Sequence, residues 1–472
     1  MTYQKPTAEM LEQLKQLLPG RVYTGSDINE DYFHDEMSYC GEHAPDAVVV
    51  VNTTEEVAAV CKLCYENDVP FIPRGAGTGL SGGCVANYGG IILDMTKMNQ
   101  ILSYDLDSMV VRVQTGVLVA DLQEDAAKHN VMYAPDPGEK FATVGGNVAT
   151  NAGGMRACKY GTTRDHVKAM TVVLPSGEIM RFGAEVNKNC SGYSLLNLIS
   201  GSEGTLAIIT ELSMKVLPIP GVSVSLLAPF AELSECASCV GAIKRSGLEP
   251  QALELMLRDN VDLIEEYLGE QVYPKECEGM LVNAYLLTTF DADDQDQLDS
   301  ILEKAADVFA ENGALDVLVY DTADGFRKVW NVRSNALEAL QVNYKNMDEC
   351  DVVVPISHIA DFINYVKETG DELGLEIRIT GHAGDGNVHV NACSKDMEEE
   401  EFLKALDAFF DKAYAKGTEL GGLVSGEHGI GIAKIKYLQE SIGPAQMELM
   451  KRVKEAFDPK LLLNPGKVCY SL

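Results

Sequence analysis

Positive charge is scarce in this chain. Against 71 Asp and Glu it sets 38 Lys and Arg, a formal net charge of -33. A surface of that sign repels nucleic acid and anionic lipid, so neither is an expected partner. It suits solubility, or a complex with a basic protein. Long hydrophobic runs are also missing: no stretch approaches the ~20 apolar residues of a membrane span. The opening MTYQKPTAEMLEQLKQLLPG patterns as an amphipathic helix. It lacks the apolar block and cleavage site of a signal peptide, so the expected location is cytoplasmic. Twelve cysteines are scattered along the chain, which without a signal argues against a disulfide framework. The pairs Cys61/Cys64 and Cys236/Cys239 fall on apolar helix faces and are read as core. No clustered run of four cysteines points to an iron–sulfur cluster. Tryptophan occurs once, at Trp330, and is also read as core.

Histidine is sparse too, yet three of the eight sit in two short glycine-rich stretches, GHAGDGNVHV at 381–390 and SGEHGIG at 425–431. These carry His382, His389, Glu427 and His428. Imidazoles plus one carboxylate make a borderline metal site with open positions, and a further histidine is left over as a base. That set suits chemistry on a small oxygen-bearing substrate.

At 472 residues the chain exceeds what one core usually serves, so two or more domains are expected. The spacing predicts strands at 46–51, 69–72, 91–94 and 109–115. A helix at 54–67 is opened by the capping pair Thr53 and Glu56. Further strands fall at 167–174, 178–182 and up to about 216. Pro218 and Pro220 then mark a boundary. From 221 the texture becomes glycine-poor strand–helix alternation. Helices are predicted at 231–246, 250–268, 293–312, 322–345 and 357–373. Strands are predicted at 222–230, 279–288, 316–320, 351–354 and 375–379. The sum is an α+β chain whose second part is a sheet with helices on one side.

Three glycine-rich loops stand in the first part. PRGAGTGLSGG at 73–83 contains G-x-G-x-x-G, but a second glycine stretch and a strand follow it, which argues against a Rossmann turn. Its residues Pro73, Arg74, Gly75, Ala76, Gly77, Thr78 and Gly79 still suit an anion: backbone without Cβ approaches closely, and Arg74 adds charge. TVGGNVATNAGG offers Thr143, Gly146, Asn147, Thr150, Gly153 and Gly154, and GSEGT at 201–205 repeats the theme. Three such loops imply an extended polar ligand wrapped by backbone, most simply a dinucleotide pyrophosphate.

In order, PRGAGTGLSGG, PDPG with TVGGNVATNAGG, GSEGTLAIITE, GHAGDGNVHVN and SGEHGIG resemble the FAD-linked D-2-hydroxyacid dehydrogenases of the vanillyl-alcohol-oxidase-like flavoprotein superfamily. D-lactate dehydrogenases and the glycolate oxidase catalytic subunit belong to that group. The resemblance runs from about residue 20 to the C-terminus. It implies an FAD-binding domain over 1–220, a cap domain over 221–430, and a tail, 431–472, returning to the FAD domain. It implies that 73–83 and 143–154 hold the FAD pyrophosphate, with Pro137 and Gly138 beside them. Glu203, Gly204 and Ile208 would line the flavin, and Asn464 would join from the tail. The first loop has no histidine, so the flavin is expected to be non-covalent.

The resemblance further implies His382, His389 and Glu427 as ligands of a divalent metal (Fe2+, Zn2+ or Mn2+), and His428 as the base. Arg333, in VWNVRSNALEAL, is the candidate clamp for a substrate carboxylate. Where hydroxyglutarate enzymes carry a lysine before DVVVP, this chain has Asp348, Glu349 and Cys350, which disfavours a second substrate carboxylate. The favoured reading is D-lactate oxidation, with electrons passed to an electron-transferring flavoprotein. Alternatives are a glycolate or D-2-hydroxyglutarate dehydrogenase using an iron–sulfur subunit or quinone, a flavin oxidase reducing oxygen directly, and a non-catalytic FAD-binding subunit.

Overall fold

A computed structural model describes residues 3–36 and 42–470. The chain divides into two compact units. One is built from Met1–Gly153, Gly161–Ile219 and Glu427–Leu472, the other from Gly154–Tyr160 and Pro220–Gly426. The longer piece of the second unit starts at Pro220. Two details differ from the sequence reading. The C-terminal return begins at Glu427 rather than 431, so Glu427 and His428 belong to the first unit. The short piece Gly154–Tyr160, anchored by Cys158 Sγ on Pro250 O at 3.1 Å, belongs to the second.

The first unit holds a four-stranded sheet, a five-stranded sheet and a two-stranded ribbon of Val131–Met132 with Leu217–Pro218. In the four-stranded one the order is Val22–Thr24, Ala47–Val50, Ile91–Asp94, Phe71–Arg74, and the last three are mutually parallel. Helix Thr54–Glu66 makes the crossover; Thr53 caps it by accepting from Glu56 N at 3.2 Å. Val57, Val60, Cys61 and Cys64 face the core with Val49, Phe71 and Leu93, so this CxxC pair is packing. Leu462 and Leu463 of the tail join the same core. Phe71 N donates to Leu462 O and Asn464 N to Phe71 O, so the tail extends the sheet edge at the strand that opens the first glycine loop. The second sheet is antiparallel, in the order Ile101–Asp105, Val110–Gln114, Ile208–Lys215, Val167–Val173, Ile179–Gly183.

The second unit is built on an antiparallel sheet of seven strands. Their order is Leu318–Tyr320, Val222–Phe230, Ala284–Ala292, Ala252–Leu257, Glu376–His382, Asn387–Ser394, Asn346–Val353. Strand Ala252–Leu257 lies where the sequence suggested the start of a helix; only Arg258–Leu268 is helical. Every residue of ALELML is buried, and a central strand covered on both faces loses the alternation that marks a strand. Leu227, Met256, Tyr285 and Leu287 pack against Val261, Ile264, Val329 and Val332 of helices Arg258–Leu268 and Ala323–Ser334. Helices Leu233–Arg245, Gln295–Glu311, Ile359–Leu373 and Glu399–Glu419 also pack on the strands. The sheet is therefore covered on both sides, not one. The expected helix 322–345 breaks at Asn335, and the following strand begins at Asn346, not 351. Trp330 is part-buried and donates Nε1 to Ser225 Oγ at 2.9 Å.

Candidate functional site

Strand Phe71–Arg74 ends where the glycine loop starts, and strand Ile91–Asp94 ends beside it. A cleft opens at these carboxyl ends, the usual ligand position in a parallel sheet. All of its lining belongs to the first unit. The first loop contributes Pro73, Arg74, Gly75, Ala76, Gly77, Thr78 and Gly79. Pro137, Thr143, Gly146, Asn147 and Thr150 form another wall, and Glu203, Gly204 and Ile208 a third. Glu427 and His428 complete it. Four expected residues do not line the cleft. Gly138 stands just outside, next to the lining Glu139. A Cβ on Gly153 would come within 2.7 Å of Glu427 Oε2, so this glycine makes room for that carboxylate. Gly154 belongs to the second unit. Asn464 is a brace: its Nδ2 donates to Gly83 O and Glu203 O, both at 2.9 Å, and its Oδ1 accepts from Lys467.

The cleft's chemistry fits a flavin dinucleotide. A Cβ on Gly75 would lie 2.5 Å from Thr143 Oγ1, and one on Gly204 2.7 Å from Pro73 Cγ, so the loops close together only because these positions are bare. The first amides of helix Val144–Thr150 are already used within the fold: Val144 N donates to Val117 O, Gly145 N to Thr115 O, and Gly146 N to Thr143 Oγ1. The wall also carries the side chain of Asn147, whose buried Nδ2 has no partner among the described residues. A buried orphan donor in a cleft is a mark of a missing acceptor. Arg74 lines the cleft but turns its guanidinium to backbone carbonyls. Its guanidinium donates to Asp31 O at 2.7 Å and His34 O at 2.8 Å, and it lies 5.6 Å from the Tyr32 ring. It places charge behind the loop while bracing the N-terminal segment.

The loop carrying His428 is tied down inside the same unit. Glu203 Oε1 accepts from Ile430 N and Oε2 from Gly431 N, both at 2.7 Å. Ser81 Oγ donates to His428 O at 3.2 Å, and Ser81 O accepts from Ile432 N at 2.9 Å. Burial raises the Glu203 carboxyl, against the pull of these two amides.

In the second unit, strand register assembles the histidine pair. His382 stands opposite Glu254, and His389 opposite Thr380 and Asp351. Residues directly across a ladder share a face. The two rings are perpendicular, with centroids 5.2 Å apart. His382 Nδ1 lies 2.8 and 2.9 Å from the two oxygens of Glu254, and His389 Nδ1 lies 3.0 Å from Glu349 Oε1. Metal-binding histidines characteristically give their second nitrogen to a carboxylate. Both rings have that half of the arrangement, and the donor set fits a borderline divalent ion. Asn391, on the same face, has a buried Oδ1 with no partner among the described residues. Asp351 accepts from Asn387 Nδ2, Ser425 Oγ and Gly426 N, fixing the chain just before Glu427. Arg333 donates Nε to Glu254 Oε2 at 2.8 Å. Burial would raise the Glu254 carboxyl, but His382 and Arg333 outweigh it and hold it low.

Sequence reasoning missed Glu254, Glu349 and Ser81. Glu254 was hidden by the helix reading. In the sequence Glu349 stands out only as a departure from the family pattern; its place diagonal to His389 is a matter of strand register.

The residues 219–468 match the family model for FAD linked oxidases, C-terminal domain, more than half the chain, and 45–183 match an FAD binding domain. The chain belongs to the FAD-linked oxidases. It is thus an FAD-dependent oxidoreductase. Among its relatives, a D-lactate dehydrogenase of Anaerostipes hadrus is 55% identical over 470 residues, covering 100% of this chain and 99% of the relative. The glycolate oxidase subunit GlcD of Bacillus subtilis is 32% identical, covering 98% and 97%. This FAD-linked oxidase shares its fold with p-cresol methylhydroxylase (TM-score 0.80, 19% identity, 98% of this chain and 96% of that one). It also matches 4-ethylphenol oxidase from Gulosibacter chungangensis (TM-score 0.76, 17% identity, 100% and 99%). The FAD-binding fold is of the vanillyl-alcohol-oxidase type, in an α+β chain. Among the described residues no helix is long and apolar enough to cross a membrane.

Proposed function

We propose that this FAD-linked oxidase is a D-2-hydroxy acid dehydrogenase that converts D-lactate to pyruvate, using non-covalent FAD and one divalent metal. The observation that carries the reading is His428 in the wall of the flavin cleft, on a loop fixed by Glu203 and Ser81. Oxidising a 2-hydroxy acid removes a hydride from C2 and a proton from the hydroxyl. Bound FAD supplies the hydride acceptor at N5. His428 takes the proton, a task suited to imidazole near neutral pH. His382, His389 and Glu427 are the proposed metal ligands; the ion, when bound, lowers the hydroxyl pKa and orients the substrate. Arg333 has Nε committed to Glu254, so its Nη groups are the pair offered to the substrate carboxylate.

Lactate is supported by the full-length similarity to a protein named D-lactate dehydrogenase. Glu349 supports a monocarboxylate, since it sets a negative charge beside His389. The electrons then pass to a second protein, for which we propose an electron-transferring flavoprotein acting in the cytoplasm.

Anaerobic reduction of the bound flavin by a panel of D- and L-2-hydroxy acids tests the reading. D-lactate should bleach the visible flavin band fastest. Faster bleaching by glycolate or D-2-hydroxyglutarate would reassign the substrate. His428→Ala should keep its FAD and lose about 10²–10⁴-fold in the rate of bleaching, the usual weight of a general base. Co-purification with an iron–sulfur subunit, in place of flavoprotein subunits, would replace the proposed acceptor.

A further inference from the structure

One carboxylate in the second unit holds two functional groups at once. Glu254 lies mid-strand in Ala252–Leu257 and is fully buried. Both of its oxygens lie within hydrogen-bond distance of His382 Nδ1, at 2.8 and 2.9 Å, and Oε2 also accepts from Arg333 Nε at 2.8 Å. Burying a carboxylate is costly unless it is paired, and this one is paired from both sides. An ionised carboxylate can only accept, so His382 Nδ1 must carry a hydrogen; in the neutral ring that leaves the lone pair on Nε2. That is the tautomer a ring needs to ligate through Nε2. The same contact occupies the Nε edge of Arg333 and so fixes the direction of its Nη fork. Arg333 reaches Glu254 from helix Ala323–Ser334, while His382 sits opposite it at the end of the neighbouring strand.

We propose that Glu254 is a positioning residue that sets the metal-binding tautomer of His382 and the carboxylate-gripping orientation of Arg333 together, so that metal affinity and substrate affinity are coupled through it. The proposal rests on the reading of His382 as a metal ligand and Arg333 as the substrate clamp.

The test compares wild type, His382→Ala, Glu254→Gln and Arg333→Lys as FAD-loaded full-length proteins. Metal affinity is read by chelator competition, KM with D-lactate, and folding by melting temperature and FAD content. The amide of Glu254→Gln accepts through one oxygen only and turns an N–H₂ toward a donor. It should bind metal about 10–100-fold more weakly, the usual cost of losing a ligand's hydrogen-bond partner. KM should rise while FAD content holds. Arg333→Lys, which takes the fork away from Glu254 without cutting into the sheet, should raise KM and also weaken metal binding several-fold. It serves as the second probe if Glu254→Gln does not fold. If His382→Ala keeps wild-type metal affinity, the metal reading itself fails. If His382→Ala loses the metal while Glu254→Gln and Arg333→Lys retain full affinity, the positioning role is overturned and the metal reading stands. A lowered melting temperature with unchanged metal affinity and KM would make Glu254 a structural ion-pair partner only.

Discussion

At the residue scale, the orphan amide of Asn147 and the crowded carboxylate of Glu185 make opposite predictions. Asn147 Nδ2 is buried in the flavin cleft with no partner among the described residues, which costs the cofactor-free fold free energy. Asn147→Ala should therefore leave the melting temperature of FAD-stripped protein unchanged or slightly raised. It should weaken FAD binding about tenfold, the worth of about one hydrogen bond in a dry site, as read by flavin fluorescence titration. Glu185 is the reverse case, since its partners are all protein. Arg112 donates to it from Nε and Nη2 at 2.7 Å each, Ser213 Oγ at 2.7 Å and Arg181 at 3.0 Å, so it pins three strands of the five-stranded sheet. Arg112 above all holds the carboxyl at about 2, against burial. The folded pKa lies below the unfolded one, so the stabilisation is complete above the unfolded pKa of about 4.3 and fades as pH falls toward about 2. Glu185→Gln should destabilise by on the order of 1 kcal/mol at neutral pH, with the difference closing across that window in urea melts. A gap that persisted unchanged at pH 2 would contradict the ionic account. Neither residue stands out in the sequence: an Asn in a glycine loop reads as one hydrogen-bonder among several, and the partners of Glu185 lie on three strands that only the fold brings together.

At the element scale, the segment after His428 is held by a loop distant in sequence. Glu203 takes its two amides, and a Cβ on Gly429, where φ is +83°, would lie 2.9 Å from the Glu203 carboxyl carbon. Glu203→Gln keeps one acceptor and sets an N–H₂ against the other amide. It should retain FAD yet lower kcat for D-lactate about tenfold, because the proposed base, His428, is no longer held in one place. Gly429→Ala should do the same and also destabilise by about 1–2 kcal/mol, since it adds both strain at positive φ and a clash. Wild-type kcat in both variants would show that His428 keeps its place without the latch. The glycine motifs were legible because glycine's uses are few and local. Thr53 and Glu56 gave the helix start for the same reason. What was not legible depends on partners far along the chain. ALELML is built from good helix formers and lost its alternation when both faces were covered, so its period carried no information. With it went Glu254. The break at Asn335 was equally silent, because helices Ala323–Ser334 and Ala336–Asn343 are each regular and only their packing on the sheet separates them.

At the scale of the whole molecule, the proposed flavin loops and two of the three proposed metal ligands, His382 and His389, are encoded on different compact units, while Glu427 is encoded on the flavin-loop unit. The glycine loops, Asn147, Glu203, Glu427 and His428 belong to the first unit, and His382, His389, Glu254, Glu349 and Arg333 to the second, the last on helix Ala323–Ser334 and the others on the seven-stranded sheet. Each set is braced within its own unit: the flavin loops by Asn464 and the tail, the histidines by two carboxylates on neighbouring strands. Losing the metal should then leave the flavin where it is. A strong chelator should abolish bleaching by D-lactate while the visible spectrum, FAD content and reduction by dithionite stay as they were. Adding back Fe2+, Zn2+ or Mn2+ one at a time should restore the rate with the ion the site uses, a choice that the two imidazoles and one carboxylate leave open. The outcome is informative either way. Bleaching that survives in protein shown by elemental analysis to hold no stoichiometric metal would leave the proton to His428 and the carboxylate to Arg333 alone, and the Glu254 and Glu349 contacts would then be hydrogen bonds of an ordinary polar core. Loss of FAD on chelation would instead mean that the flavin loops depend on the histidine sheet for their order, which the bracing within the first unit speaks against.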